Sequence, residues 1–225
     1  EGNYINGKKN GIWEKHFENG QLSDEMIYVD GEIDGLSKSW YENGQLRSET
    51  NYKLESNHGS YIMFHKNGQK WSEGDYKDGK LEGLNRGWYE NGQLEYEENY
   101  INGIKDGLQK GWYENGELKY EGNYINGIKD GLRKGWYENG QLEYEGNFKN
   151  DKQEGEYKYW EENGNLLFIS NYKDGKKHGI NKSYYNGELR RSVEYKNGKY
   201  DGISKNYYKG KLRFTTKYKN GEEIK

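Results

Sequence analysis

Aromatic and polar positions alternate along this chain in short runs, and almost every run ends at a glycine. Residues 108–114 read L-Q-K-G-W-Y-E and stop at Asn115-Gly116, and residues 117–124 read E-L-K-Y-E-G-N-Y and lead to Asn126-Gly127. Runs of period two joined by Asn-Gly predict antiparallel hairpins, because a type I′ turn needs positive φ at both central residues. A helix is excluded: no apolar stripe recurs at i, i+3 and i+4, and glycine interrupts every few residues. The expected fold is all-β.

The runs repeat. A glycine precedes each aromatic strand at Gly11, Gly35, Gly59, Gly83, Gly107, Gly131, Gly155, Gly179 and Gly202, spaced by 24 residues seven times and then by 23. A second glycine follows nine positions later, but eight later at Gly187 and Gly210, where the turn is a residue shorter. Residues 1–225 therefore read as a single repeat array, with a partial repeat at 1–10, eight repeats over 11–201 and a C-terminal capping repeat at 202–225. The expected architecture is an elongated, twisted, single-layer antiparallel β-meander of about nine 24-residue hairpins, a solenoid-like rod. Two strands per repeat at ~4.8 Å give a rod of roughly 85–95 Å.

A register follows if Asn115-Gly116 is a two-residue loop. Tyr113 then faces Leu118, Gly111 faces Tyr120, and Lys110 faces Glu121, with Trp112 on the opposite side from the tyrosines. The same offset pairs Lys38 with Glu49, Arg86 with Glu97 and Lys134 with Glu145. It also lays Tyr96 and Tyr144 over Gly87 and Gly135, a ring filling the place of a missing side chain, and sets Tyr159 against Phe168.

Composition sharpens the picture. Hydrophobic residues make up only 30% and charged residues 32%, which by themselves would suit a disordered chain. Trp 7, Tyr 24 and Phe 5 exclude that reading, so rings supply the buried surface. Cys 0 removes disulfides, thiolate metal sites and cysteine nucleophiles. No apolar run approaches the ~18 residues of a membrane-spanning helix. The sequence starts at Glu1 inside a repeat, so it reads as a fragment, and location is left open between the cytoplasm and an exported or cell-surface site.

The repeated G-x-x-x-x-W-Y-E-N-G-Q-L-x-x-E-x-N-Y-x-N-G-x-x-D-G, taken from the units at Gly35, Gly83, Gly107 and Gly131, resembles the MORN-repeat variant. The third unit departs from it at Lys70 and at Leu54-Glu55, and the last two units have the shortened turn. The resemblance implies a single-layer sheet that serves as a scaffold, an oligomerisation module or a membrane-associated platform. Bacterial members of the variant include antitoxins and immunity proteins, which implies a toxin as one class of partner.

Nothing in the sequence points to catalysis, a cofactor or a metal. There is no phosphate loop, His16, His58, His65 and His178 occupy different repeat positions, and the N-G-x-x-D-G loops lack the alternating acids of a calcium shell. Two binding features remain. Trp40, Trp88, Trp112, Trp136 and Trp160 recur once per repeat and form a candidate aromatic ledge for a protein, a glycan or a quaternary ammonium group. Charge is also segregated: residues 179–225 hold 12 bases against 5 acids, a net +7, while 1–178 carry −10. Arg190, Arg191, Lys205, Lys209, Lys211 and Arg213 form a candidate patch for an anionic membrane or cell-wall surface, or for the acidic body of a second copy. The acidic remainder argues against nucleic acid. The reading is a non-enzymatic scaffold that binds a protein through its aromatic face, with toxin neutralisation and glycan or anionic-lipid binding as alternatives.

Overall fold

A computed structural model describes residues 2–225. These residues form 23 strands and no helix. They divide into two compact units, one ending at Gly116 and the other beginning at Glu117. Within each unit every strand pairing is antiparallel. The first unit runs from Asn3–Ile5 through hairpins such as Gly35–Trp40 with Leu46–Lys53 to Gly107–Trp112. The second runs from Leu118–Ile125 to Glu222–Ile224.

Two kinds of turn alternate, and one differs from the expectation. The Asn102-Gly103 and Asn126-Gly127 turns are two-residue loops with positive φ at both residues, closing Ile101 on Ile104 and Ile125 on Ile128. The turns of the E-N-G motif are three-residue loops. At Glu42-Asn43-Gly44 the Tyr41 N–H donates to the Gln45 carbonyl at 2.8 Å, the Gly44 N–H donates to the Tyr41 carbonyl at 2.9 Å, and only Gly44 has positive φ. Gly116 donates to Tyr113 in the same way, so Asn115-Gly116 is not a two-residue loop. This corrects the register next to the turn: Trp40 faces Leu46, and Arg47 is an extra residue bulged out of the ladder. The bulge then cancels the longer loop. Beyond it Ser39 faces Ser48 and Lys38 faces Glu49, the expected partners. The expected pairs also form at Arg86–Glu97, Lys134–Glu145, Gly87–Tyr96, Gly135–Tyr144 and Tyr159–Phe168.

Near the other turn, Asn123 stands opposite Asp130, Gly131 and Leu132, because Tyr124 pairs with Lys129 and Gly122 with Arg133. The N-G-x-x-D-G loop is thus a hairpin turn followed by a wide bulge. An asparagine side chain fills the equivalent gaps: Asn99 Nδ2 donates to the Leu108 carbonyl at 2.9 Å.

The fully buried residues lie on one face of each unit, and tyrosine rings roof small or polar residues there. A Cβ on Gly87 would lie 2.2 Å from Cε1 of Tyr96, and one on Gly135 2.2 Å from Cε1 of Tyr144. Tyr61 is buried, its ring centroid 5.0 Å from that of Tyr76, and its hydroxyl joins Ser72 and Asn85. Tyr159 and Phe168 stack at 5.4 Å with their planes 4° apart. Neutral rings suit such a face. Burial first, then Tyr144, Tyr172 and Glu143, push the Tyr157 hydroxyl up to about 12.

Candidate interaction surfaces

Successive residues of a strand point to opposite faces, so the motif G-L-N-R-G-W at Gly83–Trp88 divides cleanly. Asn85 and Gly87 turn toward the tyrosine-roofed face, and Leu84, Arg86 and Trp88 toward the outer one. Three columns therefore share the outer face. The first is the predicted tryptophan column, Trp40, Trp88 and Trp112 in the first unit and Trp136 and Trp160 in the second, every member half-buried. Trp88 lies under the Lys70 ammonium at 5.3 Å. The second is a charge ladder in which Arg86 joins Glu97 at 2.9 Å and Glu73 at 3.8 Å, while Lys38 meets Glu49 at 3.3 Å.

The third column was not singled out in the sequence. The residue after each bulge glycine is exposed and aliphatic at Ile12, Leu84 and Leu108 in the first unit, and at Leu132, Ile180 and Ile203 in the second. Its signal was the recurrence of Leu or Ile at one fixed offset. In the first unit Leu36, Ile62 and Leu84, with Glu49, Glu73 and Arg86, line an open groove of about 480 Å³.

The W-Y-E-N-G edge has a different task. Tyr41 donates its hydroxyl to the Phe64 carbonyl at 2.8 Å, Tyr89 to that of Trp112 at 2.8 Å, and Tyr137 to that of Trp160 at 2.7 Å. His65 takes the tyrosine position and its Nε2 donates to the Trp88 carbonyl at 2.8 Å, which assigns this histidine a structural role. The turn asparagines add a second rung: Asn43 reaches the Lys66 carbonyl at 3.0 Å, Asn67 that of Glu90 at 2.7 Å, and Asn139 that of Glu162 at 2.9 Å. The repeats carrying Tyr41, His65, Tyr89 and Tyr137 are thus stapled to the strand 23 residues on, through residues that a strand pattern alone would leave free.

This stapled unit is also what the comparison with known families recovers. Seven consecutive segments, 9–30, 33–54, 57–78, 81–102, 105–126, 129–150 and 153–174, match the MORN repeat variant, about two thirds of the chain. The chain belongs to the MORN repeat variant family. No curated protein matches it. The MORN matches end at residue 174, ahead of the two hairpins whose turns are a residue shorter. There the loop becomes a two-residue turn, with Tyr185 facing Glu188 across Asn186-Gly187 and Tyr208 facing Lys211 across Lys209-Gly210.

The predicted basic patch lies in these last hairpins, and the structure divides it. Arg190 lies 5.1 Å from the Tyr185 ring and 5.6 Å from that of Tyr208, which also carries Arg213 at 4.8 Å and Lys209 at 5.7 Å. Lys211 sits across the strand from Tyr208. Lys205 follows the buried Ser204 and so projects from the outer face. Arg191 instead turns inward, its Nε donating to Ser204 Oγ at 3.3 Å and its guanidinium over Tyr200 at 5.2 Å.

Proposed function

We propose that this MORN-variant chain is a non-catalytic scaffold whose outer face docks another protein. The observation that carries the reading is the groove of the first unit. Exposed Leu84 and the neighbouring Leu36 and Ile62 offer apolar anchor sites, and the paired charges of Glu49, Glu73 and Arg86 rim them. Isolated exposed leucines are ordinary on protein surfaces. Recurring at one offset in most repeats, interrupted at Ser60 and Glu156, and in line with the half-buried tryptophans, they make a column that a partner can follow. A toxin held and neutralised by the chain is one partner of this kind.

Site-specific photo-crosslinking in the source cells tests the proposal. A photoreactive residue at position 62 should capture one protein, and Leu84→Glu with Leu36→Glu should weaken that capture at least tenfold. Capture of glycan or lipid alone, or a protein adduct indifferent to both substitutions, would overturn it.

A second reading rests on the cluster of Arg190, Lys209 and Arg213 around Tyr208. Three cations on one exposed ring suit an anionic surface, held electrostatically and released by salt. Vesicles containing phosphatidic acid should bind at low ionic strength and lose binding when Arg190 and Arg213 become glutamine.

A further inference from the structure

On the tyrosine-roofed face of the second unit lies a half-open pocket of about 270 Å³, separate from both surfaces above. Its lining includes Lys177, Asn181, Lys182, Arg191, Tyr195 and Tyr200. Three features mark it as a binding site when taken together.

The first is charge. Arg191 lies over the Tyr200 ring at 5.2 Å and Lys177 over the Tyr195 ring at 5.4 Å, and those two rings touch, with centroids 4.9 Å apart. Two cations are thereby held on one pair of rings. No carboxylate lines the pocket, and among the described residues neither cation takes part in an ion pair. Like charges gathered without a counter-charge are costly where solvent is partly excluded. Tyr195 does not supply that charge: burial first, then its contact with Tyr200, pushes its hydroxyl up to about 12.

The second is an unsatisfied donor. Asn181 is only 7% exposed, and its Oδ1 accepts the Asn171 N–H at 2.5 Å. Its Nδ2 is buried and has no partner. Buried amide donors are almost always paired, so one left over beside a cationic pocket calls for an acceptor.

The third is shape. Phe168, Tyr195 and Tyr200 wall the pocket with rings, and its volume falls just below the roughly 300–1,000 Å³ of small-molecule sites. We propose that this pocket binds a small phosphate monoester, its oxyanion held by Arg191, Lys177 and Asn181 Nδ2 and its flat or apolar body lodged against the rings. A guanidinium matches phosphate oxygens in pairs, an ammonium adds a point charge, and a monoester near pH 7 carries about two negative charges to meet them.

The same phosphate chemistry could arrive as a free small molecule or on a lipid headgroup, and the proposal commits to the first. Phenyl phosphate is the probe, titrated into the whole 225-residue chain and followed by calorimetry and by tyrosine ring resonances. Saturable binding is expected, weakened at least tenfold by Arg191→Gln and by Lys177→Gln. Asn181→Asp, nearly isosteric but a carboxylate in place of the amide, should abolish it. Arg191 also donates to Ser204 Oγ, so the Lys177 variant, which leaves that bond in place, remains informative even if the change at Arg191 disturbs folding. Lys217→Gln with Lys225→Gln, both exposed and outside the pocket, removes more charge than either single pocket variant and should leave affinity within twofold. The proposal is overturned if the unaltered chain does not bind phenyl phosphate, or if the Lys217/Lys225 double variant weakens binding as much as the pocket variants. It is equally overturned if vesicles containing phosphatidic acid bind through Lys177 and Arg191 while phenyl phosphate fails to compete.

Discussion

The Gly87–Tyr96 pair makes a prediction whose sign changes with its surroundings. Gly87 lies in a strand without positive φ, so alanine is conformationally acceptable there. In a strand, glycine is less favourable than alanine by roughly 0.5–1 kcal/mol, so Gly87→Ala alone should stabilise. The ring reverses this. The new Cβ would lie 2.2 Å from Cε1, 2.4 Å from Cζ and 2.8 Å from Cδ1 of Tyr96, so the ring must leave its seat. Overpacking of this kind costs about 1–3 kcal/mol. The displaced ring also pulls its hydroxyl away from Ser72 Oγ, 3.3 Å distant.

Gly87→Ala should therefore destabilise the native chain and stabilise a chain that already carries Tyr96→Ala. The coupling between the two changes should be on the order of 2 kcal/mol. Repeat arrays need not unfold in one step, so a single global transition is a poor assay. Amide hydrogen exchange over residues 80–101 reads the local opening free energy instead. Gly135 and Tyr144, with the same geometry in the second unit, provide an independent copy. If Gly87→Ala shifts exchange equally in both backgrounds, the ring is not seated on the glycine and the packing argument fails.

Other consequences can be checked with simpler measurements. Tyr137→Phe removes the staple to the Trp160 carbonyl and should cost about 0.5–1.5 kcal/mol, seen as faster amide exchange near Trp160 while residues 2–116 are unchanged. Leu54 and Glu55 both hold positive φ, a strain of roughly 1–2 kcal/mol per residue that Asn-Gly relieves, so that double replacement should stabilise in urea titration. Tyr157 and Tyr195 both have hydroxyls raised from 10.0 to about 12, so the stability they contribute is fully present below pH 10 and is lost as pH climbs toward 12. Ultraviolet titration of tyrosinate should show a late-ionising class that disappears in denaturant.

Much of the fold was legible because a strand has a strict period of two and the repeat displays each position many times. The Lys38–Glu49 and Arg86–Glu97 pairs and the rings over Gly87 and Gly135 follow from counting back from a turn. The count began with the wrong loop length and still reached the right pairs, because Arg47 and its equivalents bulge and restore the offset. Asn-Gly carries no mark that separates a two-residue loop from the end of a three-residue one. The residue before it does: Glu42 enters the loop, whereas Ile101 and Ile125 pair across theirs. The staples and the phosphate pocket were out of reach for another reason. Tyr89 to Trp112 and Lys177 to Arg191 are joined by the stacking of whole hairpins, which no single strand pattern encodes.

The shortened turns tie these observations together. In the longer loop, the tyrosine before Glu-Asn-Gly is held by its hydroxyl on the next repeat, as Tyr89 and Tyr137 are. Dropping one residue converts that loop to a type I′ turn, in which Tyr185 pairs directly with Glu188 and Tyr208 with Lys211. The tyrosine is then no longer a staple: Tyr185 is 57% exposed, and its ring carries Arg190 instead. The first of these hairpins places Arg191 opposite Ser183, where the equivalent cross-strand pair in the fourth repeat is Tyr96 opposite Gly87. A guanidinium thus enters the roofed face where a tyrosine would have closed it, beside Asn181 and Lys177. The hairpins outside the MORN matches thereby exchange repeat-to-repeat adhesion for exposed cation-bearing rings and a cationic pocket. Restoring the lost residue at Asn186-Gly187, to give Glu-Asn-Gly, should return Tyr185 to a staple and strip Arg190 of its platform. Slower amide exchange near Tyr208 together with weaker binding to anionic vesicles would show that exchange directly, and faster exchange would refute it.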